Sequence, residues 1–222
     1  MADTLLLHVN SGWTSPYAFS AFVTLREKGL PVELAVLDLA AGDHKRLPYA
    51  ADSITGRIPA LRHGDFWLAE SSAIDEYLEE AFPPPRFPRL YPADLRARGR
   101  VRMVQAFLRS DLGTLRTERS TSTLFEGATA APFTPAGKAD AERLVAVAER
   151  FLPPGAASVA PPAADGPPGG PFCIADADLA LMLHRLVANG DPCPPRLADY
   201  ARAVFRRPSI REWLTHTKWT DR

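Results

Sequence analysis

Ile58-Pro59-Ala60-Leu61-Arg62-His63-Gly64-Asp65-Phe66-Trp67-Leu68-Ala69-Glu70-Ser71-Ser72 is the stretch that decides the fold. Pro59 to Arg62 and Phe66 to Ala69 read as two short strands. The turn chemistry of Gly64-Asp65, between them, makes the pair a hairpin. From Ser71 the period changes. Ile74, Tyr77, Leu78 and Ala81 recur at helical spacing, and Pro83-Pro84-Pro85 ends the helix. Upstream, Thr4 to Val9 is an apolar strand and Asn10 to Thr14 a loop. Ser15-Pro16 then has the form of a helix start, with Ser at the N-cap and Pro at the first helical position. Ala18, Ala21, Phe22 and Leu25 carry that helix to a stop at Gly29, and Val32 to Leu39 is a second strand.

The order is therefore βαβ followed by ββα. One parallel crossover and one antiparallel hairpin give a mixed four-stranded α/β sheet of thioredoxin-like type, in a domain covering residues 1–82. Beyond the prolines the strand signals stop, and residues 90–222 read as an all-α domain. Ala93 to about Arg119 reads as one long helix with Val101, Val104, Leu108, Leu112 and Leu115 on one face. Ala136 to Leu152, Asp176 to Asn189, Pro195 to Phe205 and Ser209 to Thr217 complete the set. Residues 153–171 hold seven prolines and read as a mobile insert between helices.

The totals set limits. The chain has 222 residues with 46% apolar, enough for a sizeable core. Lys+Arg and Asp+Glu both number 26, so no global field favours nucleic acid or an anionic membrane. No apolar run approaches the roughly 20 residues that span a bilayer. Met1-Ala2-Asp3-Thr4 has no basic segment ahead of an apolar one, so the expectation is a cytoplasmic protein without a signal peptide. Cys173 and Cys193 are the only cysteines and read as reduced structural thiols. No His/Cys/Asp cluster suggests a metal.

Three junctions carry possible chemistry. Pro59 removes a ladder donor, so it belongs at a strand's first position. It either simply opens the strand or takes the cis form, which re-aims the backbone of Ile58 toward an extended peptide ligand. Glu70-Ser71-Ser72 sits where the hairpin meets the next helix. Helix-start N–H groups with a serine hydroxyl can hold a carboxylate, and Glu70 can hold an ammonium beside it. The alternative there is capping, because Ser72 to Asp75 has the form of a capping box. Ser15 has two roles as well: an N-cap, or a hydroxyl that stabilises a thiolate at the helix's positive end, with Thr14 as the alternative hydroxyl. His44 has no fixed motif around it and by itself reads as a surface histidine.

Taken together, Ser15-Pro16-Tyr17 after the first strand, Ile58-Pro59-Ala60-Leu61 before the third, and Glu70-Ser71 at the last helix start resemble the N-terminal domain of bacterial cytosolic glutathione transferases with a serine-type active site. The resemblance extends through Leu108-Arg109-Ser110-Asp111-Leu112 and through Cys173-Ile174-Ala175-Asp176, where Cys173 stands in place of the family's capping hydroxyl and weakens that cap. The Ser-Ser-Cys-x-Arg signature of the isomerase members is missing, and no cysteine lies near Ser15. The resemblance implies that Ser15 activates the sulfur of glutathione and that Ile58 pairs with its cysteinyl backbone. It implies that Glu70 and Ser71 hold the γ-glutamyl head. His44, and less directly Arg57, would reach the glycine carboxylate. It further implies a small electrophile or peroxide as second substrate, taken by the helical domain, and a homodimer with Arg98, Arg102 and Arg109 at its interface. A glutathione-dependent disulfide reductase and a non-catalytic binding module are the competing readings.

Overall fold

The structure is a computed structural model and describes residues 4–162 and 171–220. The chain forms two compact units, Met1–Arg89 and Leu90–Arg222.

The first unit opens with β1 (Leu5–Asn10), α1 (Pro16–Glu27) and β2 (Glu33–Leu37). A 3-10 turn (Asp43–Lys45) and the short α2 (Tyr49–Asp52) follow, then β3 (Ala60–His63), β4 (Phe66–Ala69) and α3 (Ser71–Ala81). The sheet order is β2-β1-β3-β4. β1 runs parallel to β2 and antiparallel to β3, and β3 pairs antiparallel with β4. This is the mixed sheet the sequence order predicts. Leu7, Val9 and Leu61 of the strands are fully buried, as are Phe19, Phe22, Ile74 and Leu78 of α1 and α3. α1 and α3 pack together. Between them the buried Asp75 carboxylate accepts from Ser20 Oγ at 3.0 Å and Thr24 Oγ1 at 2.7 Å. Lys28 is buried beyond the end of α1. Its ammonium donates to the carbonyls of Phe82 and Pro88, both at 2.9 Å, and pairs with Glu79 at 2.8 Å. The cation therefore pins the segment that leaves α3.

The second unit is helical: α4 (Leu95–Ser110), α5 (Gly113–Glu118), α6 (Ser122–Phe125), α7 (Pro135–Phe151), α8 (Ile174–Val187), α9 (Pro195–Phe205) and α10 (Pro208–Leu214). The single helix expected over 93–119 is two. Asp111 is extended and Leu112 sits at φ 58, in the left-handed region, so the α4 ladder cannot continue. The break is held from outside. Asp140 of α7 accepts from the N–H groups of Thr114 and Leu115 at 2.9 and 3.1 Å, capping the start of α5. In return Glu118, the last residue of α5, accepts from the N–H and hydroxyl of Thr134, the N-cap of α7. Gly137 lets this contact close up, because a Cβ there would lie 2.0 Å from Glu118 Oε2.

α8 is buried on every side from Ile174 to Leu186 and packs against α4, α6, α7 and α9. The weakened cap expected at Cys173 is compensated. Asp176 accepts from Cys173 N at 2.8 Å, Val159 N at 2.8 Å, Ser158 Oγ at 2.6 Å and Tyr200 OH at 2.6 Å. Ser158 thus braces the carboxylate half of the capping box, whose other half the Cys173 sulfur keeps, and burial holds the Cys173 thiol well above its ordinary range. Part of the proline-rich segment is accordingly anchored: Ser158, Val159 and Ala160 are buried. Residues 163–170 of that segment lie outside the described residues. Among the described residues no helix is long and apolar enough to cross a membrane.

Candidate functional site

The sheet register brings the three junctions to one edge. His8 of β1 lies opposite Ala60 of β3, and Ala60 lies opposite Ala69 of β4. The end of β1, the start of β3 and the end of β4 therefore coincide. β2 ends there too, since Asn10 pairs with Leu37. Loops at such a sheet end are where α/β folds place ligands. β1 to β4 spans two strand spacings, roughly 10 Å. An extended tripeptide is also roughly 10 Å long.

Ser15 is the N-cap of α1, and its Oγ accepts from Ala18 N at 3.1 Å. Capping and an exposed hydroxyl proton are compatible, because the cap uses only a lone pair. Asn10 holds the loop. Its Oδ1 accepts from Ser15 N at 3.3 Å, and its Nδ2 donates to Thr14 Oγ1 at 3.0 Å. From the sequence Asn10 is expected as the first loop residue. The structure keeps it in β1 and buries it.

The Ile58–Pro59 bond is cis, as the position suggested; so are Leu47–Pro48 and Pro84–Pro85, which the sequence did not single out. The β1–β3 ladder stops at Ala60, and Ile58 makes no backbone hydrogen bond among the described residues. The carbonyl just before it is fixed: Tyr49 OH donates to Arg57 O at 2.5 Å. Burial pushes the Tyr49 phenol up to about 12, so it remains a donor throughout the neutral range. The Tyr49 ring packs 5.0 Å from His8. Burial lowers the pKa of His8, aided by Arg62.

Glu70 is the N-cap of α3, with φ 68 and ψ 115. A non-glycine residue in this region stores strain. The Ser72–Asp75 capping box does not form: the N-cap is Glu70, two residues earlier, no side chain caps the helix, and Asp75 is committed to Ser20 and Thr24. Ser71 is buried at the helix start, and the N–H groups of Ser72 and Ala73 have no acceptor among the described residues. α1, α4 and α7 each have a capping side chain, Ser15, Asp94 and Thr134. α3 instead offers unspent donors beside an exposed carboxylate.

His44 lies in the 3-10 turn, where its Nδ1 is buried without a partner among the described residues. Its carbonyl is 4.0 Å from where a Cβ on Gly56 would sit, which puts this turn against the loop that carries Arg57. Of the expected interface arginines, Arg98 and Arg109 are engaged within the helical unit. Arg98 Nε donates to Pro92 O at 2.9 Å, Arg109 pairs with Asp178 at 2.8 Å, and Arg102 also has partners.

A thioredoxin-like sheet with these junctions, and a separate unit of helices, define a class that comparison with known proteins makes specific. Residues 14–81 match the model of the glutathione S-transferase N-terminal domain, and residues 94–218 match that of the C-terminal domain. A solved glutathione transferase homolog from Burkholderia gl BGR1, with bound glutathione, is 36% identical and superposes with a TM-score of 0.75, covering 96% of each chain. Human glutathione S-transferase theta-2 is 39% identical over 82 residues, 37% of this chain and 33% of that protein. Maleylpyruvate isomerase of a Ralstonia species is 33% identical over 107 residues, 48% of this chain and 49% of that protein. The chain thus spans a third to a half of the length of these two curated relatives. The chain belongs to the glutathione S-transferase family.

Proposed function

We propose that the protein is a glutathione transferase of the serine type. It binds glutathione along the edge formed by Ser15, Ile58 and Glu70-Ser71 and presents the thiolate to an electrophile. The observation that carries this is the coincidence of three unspent groups at one sheet end: the Ser15 hydroxyl, the Ile58 backbone and the uncapped start of α3. The Burkholderia relative holds glutathione, which supports the ligand. Ser71 and the first N–H groups of α3 take the γ-glutamyl carboxylate, and Glu70 takes its ammonium. His44, with Arg57 nearby, meets the glycine end.

The magnitudes suffice. A free thiol with pKa about 8.5 is only a few per cent thiolate at neutral pH. Lowering it by roughly two units takes about 2.7 kcal/mol of preferential thiolate stabilisation. One charge-assisted hydroxyl bond supplies about 1.5–3 kcal/mol, and a helix N-terminus adds about 0.3–1 kcal/mol. No step needs a metal. The isomerase relative's activity is not favoured, because Trp13-Thr14-Ser15-Pro16-Tyr17 lacks the isomerase signature.

The second substrate is a small electrophile, with peroxide reduction as a side activity, selected by the helical unit in a cytoplasmic setting. The protein acts as a homodimer. Support comes from a second apolar stripe on α4 and α7, outside the core: Met103, Phe107, Val147 and Phe151 line a groove of about 470 Å³ with Arg100 and Arg143. Such a pairing would bury well over about 1,000 Å². A monomer mass that does not change with concentration in ultracentrifugation would refute it. For the activity itself, the protein should be retained on immobilised glutathione and turn over a generic electrophile. Turnover of mixed disulfides alone would favour the reductase reading, and retention without any turnover a binding module.

A further inference from the structure

We propose that the reacting sulfur is held by two hydroxyls, Thr14 and Ser15, and that Asn10 is the positioning residue that aims the Thr14 proton. The proposal rests on the reading of the site given above. Its basis is a proton count in the β1–α1 loop.

A backbone N–H can only donate. Because Ser15 N meets the Asn10 amide at 3.3 Å, the atom it meets must be the amide oxygen. That fixes the orientation of the whole amide. The other end is then the NH₂ group, and it must donate to Thr14 Oγ1 at 3.0 Å. The Thr14 oxygen is an acceptor in this bond, so its own proton points elsewhere. The same logic applies to Ser15, whose Oγ accepts from Ala18 N at 3.1 Å. Neither hydroxyl proton has an acceptor among the described residues. Consecutive residues thus carry two uncommitted O–H donors, both half-buried, at the positive end of α1. A single anion at the helix's positive end can accept from both, and in this site the anion is the thiolate. The thiol's proton leaves to bulk water, and both hydroxyls keep theirs. Asn10 touches no substrate. It is 7% exposed, and it spends one end of its amide on each of the two residues.

The test is the thiolate absorbance of bound glutathione as a function of pH. Thr14→Val and Ser15→Ala should each raise the thiol pKa by roughly one unit, and the double variant by roughly two. Turnover near neutral pH should fall about tenfold for each unit. Binding of the protonated thiol form, measured by calorimetry at low pH, should stay within a few-fold of the parent. Thr14→Ser keeps the hydroxyl and should match the parent. Asn10→Asp replaces the NH₂ donor by an oxygen, so the Thr14 hydroxyl must turn its proton inward. In that background Thr14→Val should produce no further rise, although the same substitution shifts the parent.

A Thr14→Val profile that overlays the parent while Ser15→Ala shifts would overturn the two-hydroxyl proposal and leave the site reading intact. So would a Thr14→Ser profile that behaves like Thr14→Val, or a full Thr14→Val shift persisting in Asn10→Asp. A parent protein that binds no glutathione would remove the site reading and this proposal together.

Discussion

Glu70 offers a test in which stability and binding move in opposite directions. Its side chain makes no hydrogen bond or ion pair among the described residues, so truncation removes no contact from the ligand-free protein. Its backbone sits at φ 68 and ψ 115. A Cβ in the left-handed half of the map costs about 1–2 kcal/mol. Alanine keeps that cost and glycine removes most of it. Glycine brings back about 0.5–1 kcal/mol of chain entropy in the unfolded state. The expected balance is a Glu70→Gly variant about 0.5–1 kcal/mol more stable than Glu70→Ala, with Glu70→Ala close to the parent. Both variants should bind glutathione about 10- to 100-fold more weakly, the equivalent of one charged hydrogen bond of about 1.5–3 kcal/mol. Denaturant midpoints and calorimetric titration with glutathione supply the two readouts. A glycine variant clearly less stable than the alanine variant would refute the strain argument. Parent-like affinity in both would refute the head-group assignment.

Three further expectations concern the frame around the site. His184 is buried against Phe205 and Trp219, and burial lowers its pKa to about 4, helped by Arg202. Above about pH 6.5 folded and unfolded chains are both neutral here. As pH falls from about 6.5 toward 4 only the unfolded chain takes up the proton, so up to about 3 kcal/mol of stability is lost. His184→Leu should flatten the denaturant midpoint across that window, and an unchanged slope would count against it. Lys28→Met takes the cation from Glu79 and two carbonyls, and should lower stability by about 3–5 kcal/mol in equilibrium unfolding; a loss under about 1 kcal/mol would mean the pair is not buried as described. Gly137→Ala must displace the Glu118 carboxylate from Thr134 and should cost about 1–3 kcal/mol; a thermal midpoint at or above the parent's would show that Glu118 moves freely.

What the sequence made legible was whatever is encoded within a few residues. Ser15-Pro16 marks a helix start because cap and first turn are local, and the hairpin at Gly64-Asp65 is local too. The 3.6-residue period placed α7, α8 and α9 to within two residues at either end. The misses all depend on distant partners. The break at Leu112 is held by Asp140, and Asp75 is drawn from its capping role by Ser20 and Thr24 on another helix. Ser158 braces the Asp176 carboxylate of the cap from 15 positions before Cys173, within a stretch whose prolines suggested only a loose insert. At the site, the residue types were readable and their support was not. Asn10 and Tyr49 act through a loop amide and a carbonyl, and neither leaves a pattern in the sequence. An Asn four and five positions before two hydroxyl residues, at a strand end, is the signal that was there to be used.

The exchange of carboxylates between α5 and α7 has a consequence for how the helical unit comes apart. A helix of six residues has no stability of its own, because nucleation costs more than so few bonds return. Here α5 begins on a carboxylate from α7, and the cap of α7 is held by a carboxylate from α5. Melting α5 releases the cap of α7, and melting α7 releases both ends of α5. The two helices therefore behave as one cooperative unit joined at both ends, although residues 119–134 separate them in sequence. Amide exchange at Thr114, Leu115 and Gly137 should follow a single opening event, and the seam between α4 and α5 then marks where one foldon ends and the next begins.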